Sequence, residues 1–400
     1  MDHSEIVLRH PLNDCYCLLA SVEDRSWTRF AVRAASMIRA RSGEAKMLLN
    51  PGGGIPAVRK AMISVLGLLK RKCCGSTDVA LLLVTVLLPR PAQAAGIQHL
   101  VIPGDNKGPT IIAEFWTPCG RPAPAVVVDR SGIPTTMHVI ENCPITRKRL
   151  PFIVISHGMF EDRYSHFDTA EFLADAGFAV VAINHSQDST MDIKGKTADD
   201  ISAFLIRPID IKRTIDYFEH HPFAGIDIDL RHIGFFGFSR GGYTGLVLAG
   251  GTPDFNKLVI QCPPVVHMCA QIQDQTIPPH TSGYEPRISV YVIADPVDFF
   301  PDKSSLKNVH VPIQLWSSEL GGMGVRPQEV SAVAMNLPEM PEFHPVAGAT
   351  HLSFDCPCSE EAKSANSTIV CVDPPGFDRV AFHRKFNEEL TAFFRKHFPG

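Results

Sequence analysis

The sequence has no surplus of basic residues. Its 38 Lys and Arg face 42 Asp and Glu, for a formal net charge of −4, whereas nucleic-acid binding needs clustered positive charge to neutralise phosphates. We therefore expect no nucleic-acid partner. The patterns G-x-G-x-x-G and Walker A are also missing from the predicted strand-to-helix junctions, which argues against a nucleotide enzyme.

The cysteines lack the spacing of a zinc site or a redox pair: Cys356-Pro-Cys358 resembles neither. We expect no metal and no other cofactor. Seven cysteines follow residue 95, and an oxidising compartment would let some of them form disulfides. Because seven is odd, at least one should keep its thiol or pair between chains. The seven are Cys119, Cys143, Cys262, Cys269, Cys356, Cys358 and Cys371.

The apolar run Val79–Leu88 is too short to cross a bilayer as a helix, which takes about 20 residues. The basic run 70–72 precedes it, and the small-residue cleavage pattern Ala92-Gln93-Ala94 follows it. This order is typical of a signal peptide, here residues 62–94, cleaved near Ala94. We expect a secreted or periplasmic protein without a stable membrane anchor.

Residues 1–61 stand before this leader, although an export signal should begin the chain. One hypothesis is a start codon assigned too early, which would make this stretch a mis-assigned or disordered extension. The alternative is a genuine N-terminal extension with an internal apolar segment. In either case the catalytic domain is expected at 95–400.

From Ala95 onward, short apolar runs alternate with amphipathic segments, which predicts an α/β fold with a mainly parallel central sheet and helices on both faces. Predicted strands are Ile111–Trp116, Phe152–Ser156, Ala179–Asn184, His232–Phe236, Ile288–Ala294, Ile313–Ser317 and Glu342–Val346. Predicted helices are Thr169–Ala176, Ile209–His221, Gly242–Ala249, Gln328–Met335 and Arg379–His397. Long surface loops are expected at Gly104–Pro109, Pro263–Pro286 and Cys356–Gly376.

An apolar strand runs directly into Gly237-Phe238-Ser239-Arg240-Gly241, a match to G-x-S-x-G. With a strand before it and a helix after it, this pattern indicates a nucleophile elbow, in which Ser239 is strained and its hydroxyl is exposed. The alternative is an ordinary glycine-rich turn. As an elbow, the segment makes Ser239 the candidate nucleophile.

The end of the strand Phe152–Ser156 carries His157-Gly158-Met159, a candidate oxyanion loop. Gly158 would let the loop bend towards the substrate, and the backbone N–H groups of Met159 and Arg240 would bind the oxyanion. His157 could act as a base, but such a histidine more often holds its loop by hydrogen bonds. His351 follows the predicted acid in chain order and ends a strand-and-turn segment, so it is the candidate base.

Several segments together resemble secreted bacterial α/β-hydrolases described as dienelactone hydrolases, and the platelet-activating-factor acetylhydrolases. The likeness spans most of residues 97–398. It is carried by Ser156-His-Gly158, Ala174–Phe178, Ala182–His185, Arg207–Asp210, Gly237–Gly242, Gly348–His351 and Phe354–Cys358. True dienelactone hydrolases use a cysteine nucleophile, whereas this chain has Ser239. The acetylhydrolase resemblance implies hydrolysis of short acyl esters without a cofactor, with phospholipids among the candidate substrates.

Two carboxylates compete for the role of triad acid, since Asp295 and Glu319 each follow a predicted strand and precede His351. The commonest form of the fold places the acid after the second strand beyond the elbow, where this chain has Gly321 in place of the usual Asp. The resemblance favours Asp295, and its shorter side chain loses less entropy on reaching the imidazole. We expect Asp295, with Glu319 as the alternative.

Together these features predict a serine carboxylic-ester hydrolase acting on small-molecule esters through Ser239, His351 and an acyl-enzyme. A serine peptidase or amidase on the same fold is an alternative. The other is a catalytically silent member of the fold that serves as a binding protein.

Overall fold

The computed structural model describes residues 7–8, 17–18, 95–119, 125–130, 133–144, 149–188, 200–223, 225–257, 267–277, 283–364 and 369–398. The chain divides into two compact units, Met1–Leu88 and Pro89–Gly400. In the first, strands β1 (Val7–Leu8) and β2 (Cys17–Leu18) pair antiparallel. Apart from these four residues, the predicted extension at 1–61 and the predicted signal peptide at 62–94 lie outside the described residues.

The second unit contains, in its described part, a mixed sheet of ten strands. They are β3 (Ala95–Ile102), β4 (Ile111–Pro118), β5 (Ala125–Arg130), β6 (Ile133–Glu141), β7 (Leu150–Ser156), β8 (Ala179–Ile183), β9 (Ile228–Phe238), β10 (Ile288–Ala294), β11 (Ile313–Ser318) and β12 (Glu342–Val346). Their order across the sheet is β12-β11-β10-β9-β7-β8-β4-β3-β6-β5. The six strands from β12 to β8 are all parallel, as expected.

Eight helices lie among the described residues of this unit. They are α1 (Phe167–Asp175), α2 (Ile201–His220), α3 (Arg240–Leu248), α4 (His267–Gln273), α5 (Lys303–Leu306), α6 (Pro327–Asn336), α7 (Glu360–Ser364) and α8 (Arg379–His397). Two expected loops are therefore partly helical: Pro263–Pro286 contains α4, and Cys356–Gly376 contains α7 and a 3-10 turn at Ile369–Cys371. Within the described residues, no helix is both long and apolar enough for a membrane crossing.

The core lies on both faces of the sheet. Neighbouring strand residues such as Phe235 and Phe236 point to opposite faces, and both are fully buried. Phe235 belongs to the cluster covered by α2 and α3, whereas Phe236 belongs to the cluster covered by α1 and α8. Because the parallel strands are covered on both sides, their carboxyl ends are the edge at which loops can build a site.

Two disulfides join described cysteines: Cys119 with Cys143, and Cys358 with Cys371. Cys269 is disulfide-bonded as well. The first bond ties the end of β4 to the segment after β6, and the second closes the loop that follows His351. The expectation that several of the seven cysteines pair is therefore confirmed.

Candidate active site

The Ser239 turn between β9 and α3 has strained backbone geometry. Ser239 has φ 55° and ψ −115°, a backbone conformation that residues other than glycine rarely adopt. A Cβ on Gly241 would lie 1.9 Å from the Ser156 carbonyl oxygen, so only glycine lets α3 start this close to β7. The G-x-S-x-G segment thus forms a sharp strand-to-helix turn, as the motif predicts.

Ser239, His351 and Asp295 form one chain of hydrogen bonds. His351 Nε2 lies 2.9 Å from Ser239 Oγ, and His351 Nδ1 lies 3.0 Å from Asp295 Oδ2. The backbone N–H of Ser318 donates to Asp295 Oδ1 at 2.7 Å, and the Ser318 hydroxyl donates to Oδ2. Ser239 is only 7% exposed, so its hydroxyl is less open to solvent than the sequence predicts.

The structure brings Asp295, and not Glu319, to the imidazole. Asp295 directly follows β10, is fully buried and has a φ of 41°. Glu319 directly follows β11, is exposed, and accepts a hydrogen bond from the backbone N–H of Gly348 at 2.7 Å. Glu319 therefore fastens the turn that leads to His351, whereas Asp295 contacts His351 itself.

His351 is held from its backbone and from one ring face. It begins a 3-10 turn, His351–Phe354, and its N–H donates to the Gly321 carbonyl at 2.9 Å. The Phe238 ring lies beside the imidazole, with 4.6 Å between ring centroids. These contacts fix the direction in which Nε2 points, so the ring stays within hydrogen-bond reach of Ser239.

The loop after β7 carries the predicted oxyanion residues. His157 Nδ1 donates to the Gly158 carbonyl at 2.7 Å, while Nε2 accepts the backbone N–H of His185 at 3.1 Å. Burial, reinforced by the nearby Arg207 cation, holds the pKa of His157 well below its usual range. A neutral imidazole with one donor and one acceptor fits both partners, so His157 holds the loop.

Met159 and Arg240 lie close together across the site. The Arg240 guanidinium is 2.8 Å from Met159 Sδ and lies over the Phe204 ring, 4.3 Å from its centroid. The backbone N–H of Gly158 donates to Glu161 at 2.7 Å. The two segments whose N–H groups are the predicted oxyanion donors are thus neighbours, in contact through the Arg240 and Met159 side chains.

A second Ser–His–Asp chain lies beneath this loop. Ser156 Oγ is 2.8 Å from His185 Nε2, and His185 Nδ1 is 3.3 Å from Asp210 Oδ2. Burial raises the pKa of Asp210 to about 7 and holds the pKa of His185 well below its usual range. Because all three side chains are fully buried, no substrate can reach Ser156, and this chain is structural.

No motif in the sequence assigns a role to Arg207 or Asp188, and both are fully buried. Arg207 Nη1 donates to Asp188 at 2.6 Å, and Nη2 donates to the His157 carbonyl. A signal for Arg207 was present in the sequence. It falls at helical spacing between Phe204 and Ile211, on the apolar face of α2, where a cation needs a buried partner.

Within the described residues, one group of side chains has the geometry to hold a metal ion. Ligand atoms of Glu161, His166 and Asp355 lie within 4.8 Å of one another. Glu161 follows the oxyanion loop, and Asp355 directly follows the His351–Phe354 turn. None of the three residues belongs to the Ser239–His351–Asp295 chain.

Phe238, Phe299 and Phe300 are three bulky side chains that are all at most 1% exposed. Phe299 packs against Phe204, Tyr243 and Phe255 in the core. Phe238 packs beside His351 and Phe354. These rings support the site from within and carry no information about acyl length.

Comparison with known proteins identifies similar folds but no family. No family model matches the chain, and no curated protein sequence matches it. A ferulic acid esterase from Streptomyces cinnamoneus is similar in structure, with a TM-score of 0.53 and 16% identity over 78% of this chain and 92% of that one.

Two more distant structures share less of this geometry. A protein from Bacteroides ovatus assigned as a dipeptidyl aminopeptidase IV has a TM-score of 0.45 and 13% identity, over 76% of this chain and 36% of that one. One from Klebsiella pneumoniae assigned as a dienelactone hydrolase has a TM-score of 0.43 and 12% identity, over 76% and 99%. With the sheet order and the elbow, the similarity to the esterase confirms the prediction that this chain has the α/β-hydrolase fold.

Proposed function

We propose that the protein is a serine hydrolase that cleaves carboxylic esters, with Ser239 as nucleophile, His351 as base and Asp295 as acid. The observation that carries the proposal is the chain of hydrogen bonds from Ser239 through His351 to Asp295. It starts at a strained residue on a strand-to-helix turn. Strain at such a turn has a stability cost, which is expected at a functional site.

In the proposed reaction, His351 Nε2 takes the proton of the Ser239 hydroxyl while Oγ attacks the ester carbonyl carbon. The N–H groups of Met159 and Arg240 bind the oxyanion of the tetrahedral intermediate. His351 then gives the proton to the leaving alcohol, and the acyl-enzyme forms. Water, activated by the same imidazole, releases the carboxylic acid and restores Ser239.

Asp295 keeps the His351 proton on Nδ1 and stabilises the imidazolium that forms. Its carboxylate is suited to this task because Ser318 already donates to both of its oxygens. Those bonds fix the carboxylate, so little conformational freedom remains to be lost when the charge develops. No step requires a metal ion or another cofactor.

For the substrate class we propose short acyl esters, including those of phospholipids, from the resemblance of the sequence to acetylhydrolases. Hydrolysis of amides is the second candidate within the same chemistry. The neighbour that acts on ferulic acid esters adds aromatic esters to the compounds worth testing. We also propose that the protein is exported after cleavage near Ala94.

The test is labelling by a fluorophosphonate probe, with Ser239→Ala as the control, followed by hydrolysis of p-nitrophenyl esters of two to about twelve carbons. Matched p-nitroanilides distinguish an esterase from an amidase. Labelling of the wild type alone, with ester turnover, supports the proposal. A folded protein that takes up no probe would instead favour a silent binding protein.

A further inference from the structure

Arg207 uses its whole guanidinium group inside the protein. Nε donates to Thr244 Oγ1 at 3.1 Å, Nη1 donates to Asp188 Oδ2 at 2.6 Å, and Nη2 donates to Ser156 Oγ at 3.3 Å and to the His157 carbonyl. Thr244 belongs to α3, the helix that begins at the elbow, and His157 belongs to the oxyanion loop. One side chain therefore joins the two segments that carry the proposed oxyanion donors.

Asp188 completes the connection from the other side. Its Oδ1 accepts a hydrogen bond from Arg240 Nη1 at 3.0 Å, while Oδ2 accepts from Arg207. Arg240 is the residue whose backbone N–H would bind the oxyanion. Asp188 is fully buried and Arg240 is 5% exposed, so water screens these contacts little.

The carboxylate also keeps two like charges together. Arg207 and Arg240 both contact Asp188, and each guanidinium stays charged in a protein. Without the negative charge of Asp188 the two cations would repel each other through a poorly screened interior. Arg240 would then move, together with the first turn of α3. The hydrogen bond from Arg207 to the His157 carbonyl would weaken.

We propose that Asp188 and Arg207 are positioning residues that fix the oxyanion loop and the elbow at the separation that binds the developing oxyanion. The inference rests on the proposed function of Ser239. Neither side chain touches the reacting atoms. Each acts through a neighbour: Arg207 through the His157 carbonyl, and Asp188 through Arg240.

The prediction for Asp188→Asn is a lower kcat with a nearly unchanged KM. Removing one oxyanion donor outright costs roughly 10²–10³-fold in kcat, so misplacing both donors should cost on the order of 10- to 100-fold. Arg207→Lys keeps the charge, but its single nitrogen cannot reach Thr244, Asp188 and His157 at once. It should show a loss of the same order.

The experiment compares wild type, both variants and Glu285→Gln, with kcat and KM measured on a p-nitrophenyl ester. Active-site concentration comes from fluorophosphonate labelling run to completion. Glu285 is a matched control, since it is 3% exposed and pairs with Arg287 away from the site. Its variant should lower the melting temperature and leave kcat within about twofold.

A second readout separates positioning from stability: the inhibition constant of a trifluoromethyl ketone, whose adduct with Ser239 carries an oxyanion. In the Asp188 and Arg207 variants this inhibition constant should rise by the same factor by which kcat falls. In Glu285→Gln it should stay constant. Wild-type kcat per labelled site and wild-type inhibition in both variants would overturn this inference alone. An unlabelled wild type would overturn the proposed function as well.

Discussion

Replacing Asp295 by Asn separates the two candidate acids by their geometry. In the wild type, Asp295 Oδ1 accepts from the Ser318 N–H, and Oδ2 accepts from the Ser318 hydroxyl and His351 Nδ1. All three donors need oxygen lone pairs, but an asparagine offers one oxygen and one NH₂ group. If its oxygen stays on the Ser318 N–H, its NH₂ faces His351 Nδ1.

His351 can accept that NH₂ only by moving its own proton to Nε2, where it blocks transfer from Ser239. The flipped amide would instead leave the buried Ser318 N–H without an acceptor, at a cost of about 1–3 kcal/mol. The variant also loses the negative charge that stabilises the imidazolium. From serine hydrolases with the same arrangement, we expect a loss of about 10⁴-fold in kcat, equivalent to about 5.4 kcal/mol of transition-state stabilisation.

Glu319→Gln is the matched control because its side chain keeps an oxygen for the Gly348 N–H. Its kcat should stay within about twofold of the wild type, because a change at an exposed side chain with a retained bond is small. The assay is steady-state hydrolysis of p-nitrophenyl butyrate, corrected for active sites. More than about a tenth of wild-type kcat in Asp295→Asn, or a larger loss in Glu319→Gln, would refute the assignment.

Four further predictions concern the nucleophile, a disulfide, a buried carboxylate and export. Ser239→Ala should lower kcat by roughly 10⁴-fold or more while near-ultraviolet circular dichroism stays native, and a near-wild-type rate would contradict its role. Replacing Cys119 and Cys143, 24 residues apart, by Ser should lower the free energy of unfolding in urea by about 3 kcal/mol, and an unchanged midpoint would contradict this. Burial raises the pKa of Glu171 to about 8, above its unfolded value of 4.5, so the native state binds more protons between these values. Stability should therefore fall as pH rises from about 5 to 8, and Glu171→Gln should flatten that slope in urea titrations. N-terminal sequencing of protein from the native host should find a chain that begins at Ala95 or nearby, rather than at Met1.

The parallel half of the sheet could be predicted because its signal is local. Strands β7 to β11 each contain a short apolar run. The elbow between β9 and α3 adds a specific strand-to-helix motif. The hairpin β5–β6 and strand β3 were missed. They lie at the far edge of the sheet, where β3 directly follows the predicted leader. There β3 pairs antiparallel with β4 and parallel with β6, and β5 pairs antiparallel with β6.

Helix α2 shows how tertiary burial overrides a local signal. A proline usually marks a helix start, so the sequence predicts that the helix begins at Ile209, after Pro208. In the structure the helix starts at Ile201, where Asp200 caps the N–H of Ser202 at 2.7 Å, and Pro208 lies inside it. Burial of Phe204 and Arg207 in the preceding turns stabilises the extra length.

The choice between Asp295 and Glu319 depends on side-chain direction, which local sequence does not encode. Both residues end neighbouring parallel strands, so both lie at the same edge of the sheet. Asp295 turns inward because its φ is 41° and Ser318 donates to it twice. Glu319 turns to the Gly348 N–H instead. Those partners come from other strands and turns, and only the assembled sheet brings them into place.

The two Ser–His–Asp chains show that hydrogen-bond connectivity alone does not identify a nucleophile. Ser156 lies in the regular strand β7, fully buried, with a histidine and an aspartate behind it. Ser239 has the same connectivity, but its φ of 55° places it at the top of a sharp turn, with two candidate oxyanion segments beside it. A nucleophile needs access for the carbonyl carbon and donors for the oxyanion, and of the two serines it is Ser239 that lies between a strand and a helix beside the predicted oxyanion segments. The buried Ser156–His185–Asp210 chain supports the site at Ser239 indirectly. Ser156 accepts a hydrogen bond from Arg207, and Arg207 also donates to the His157 carbonyl in the oxyanion loop.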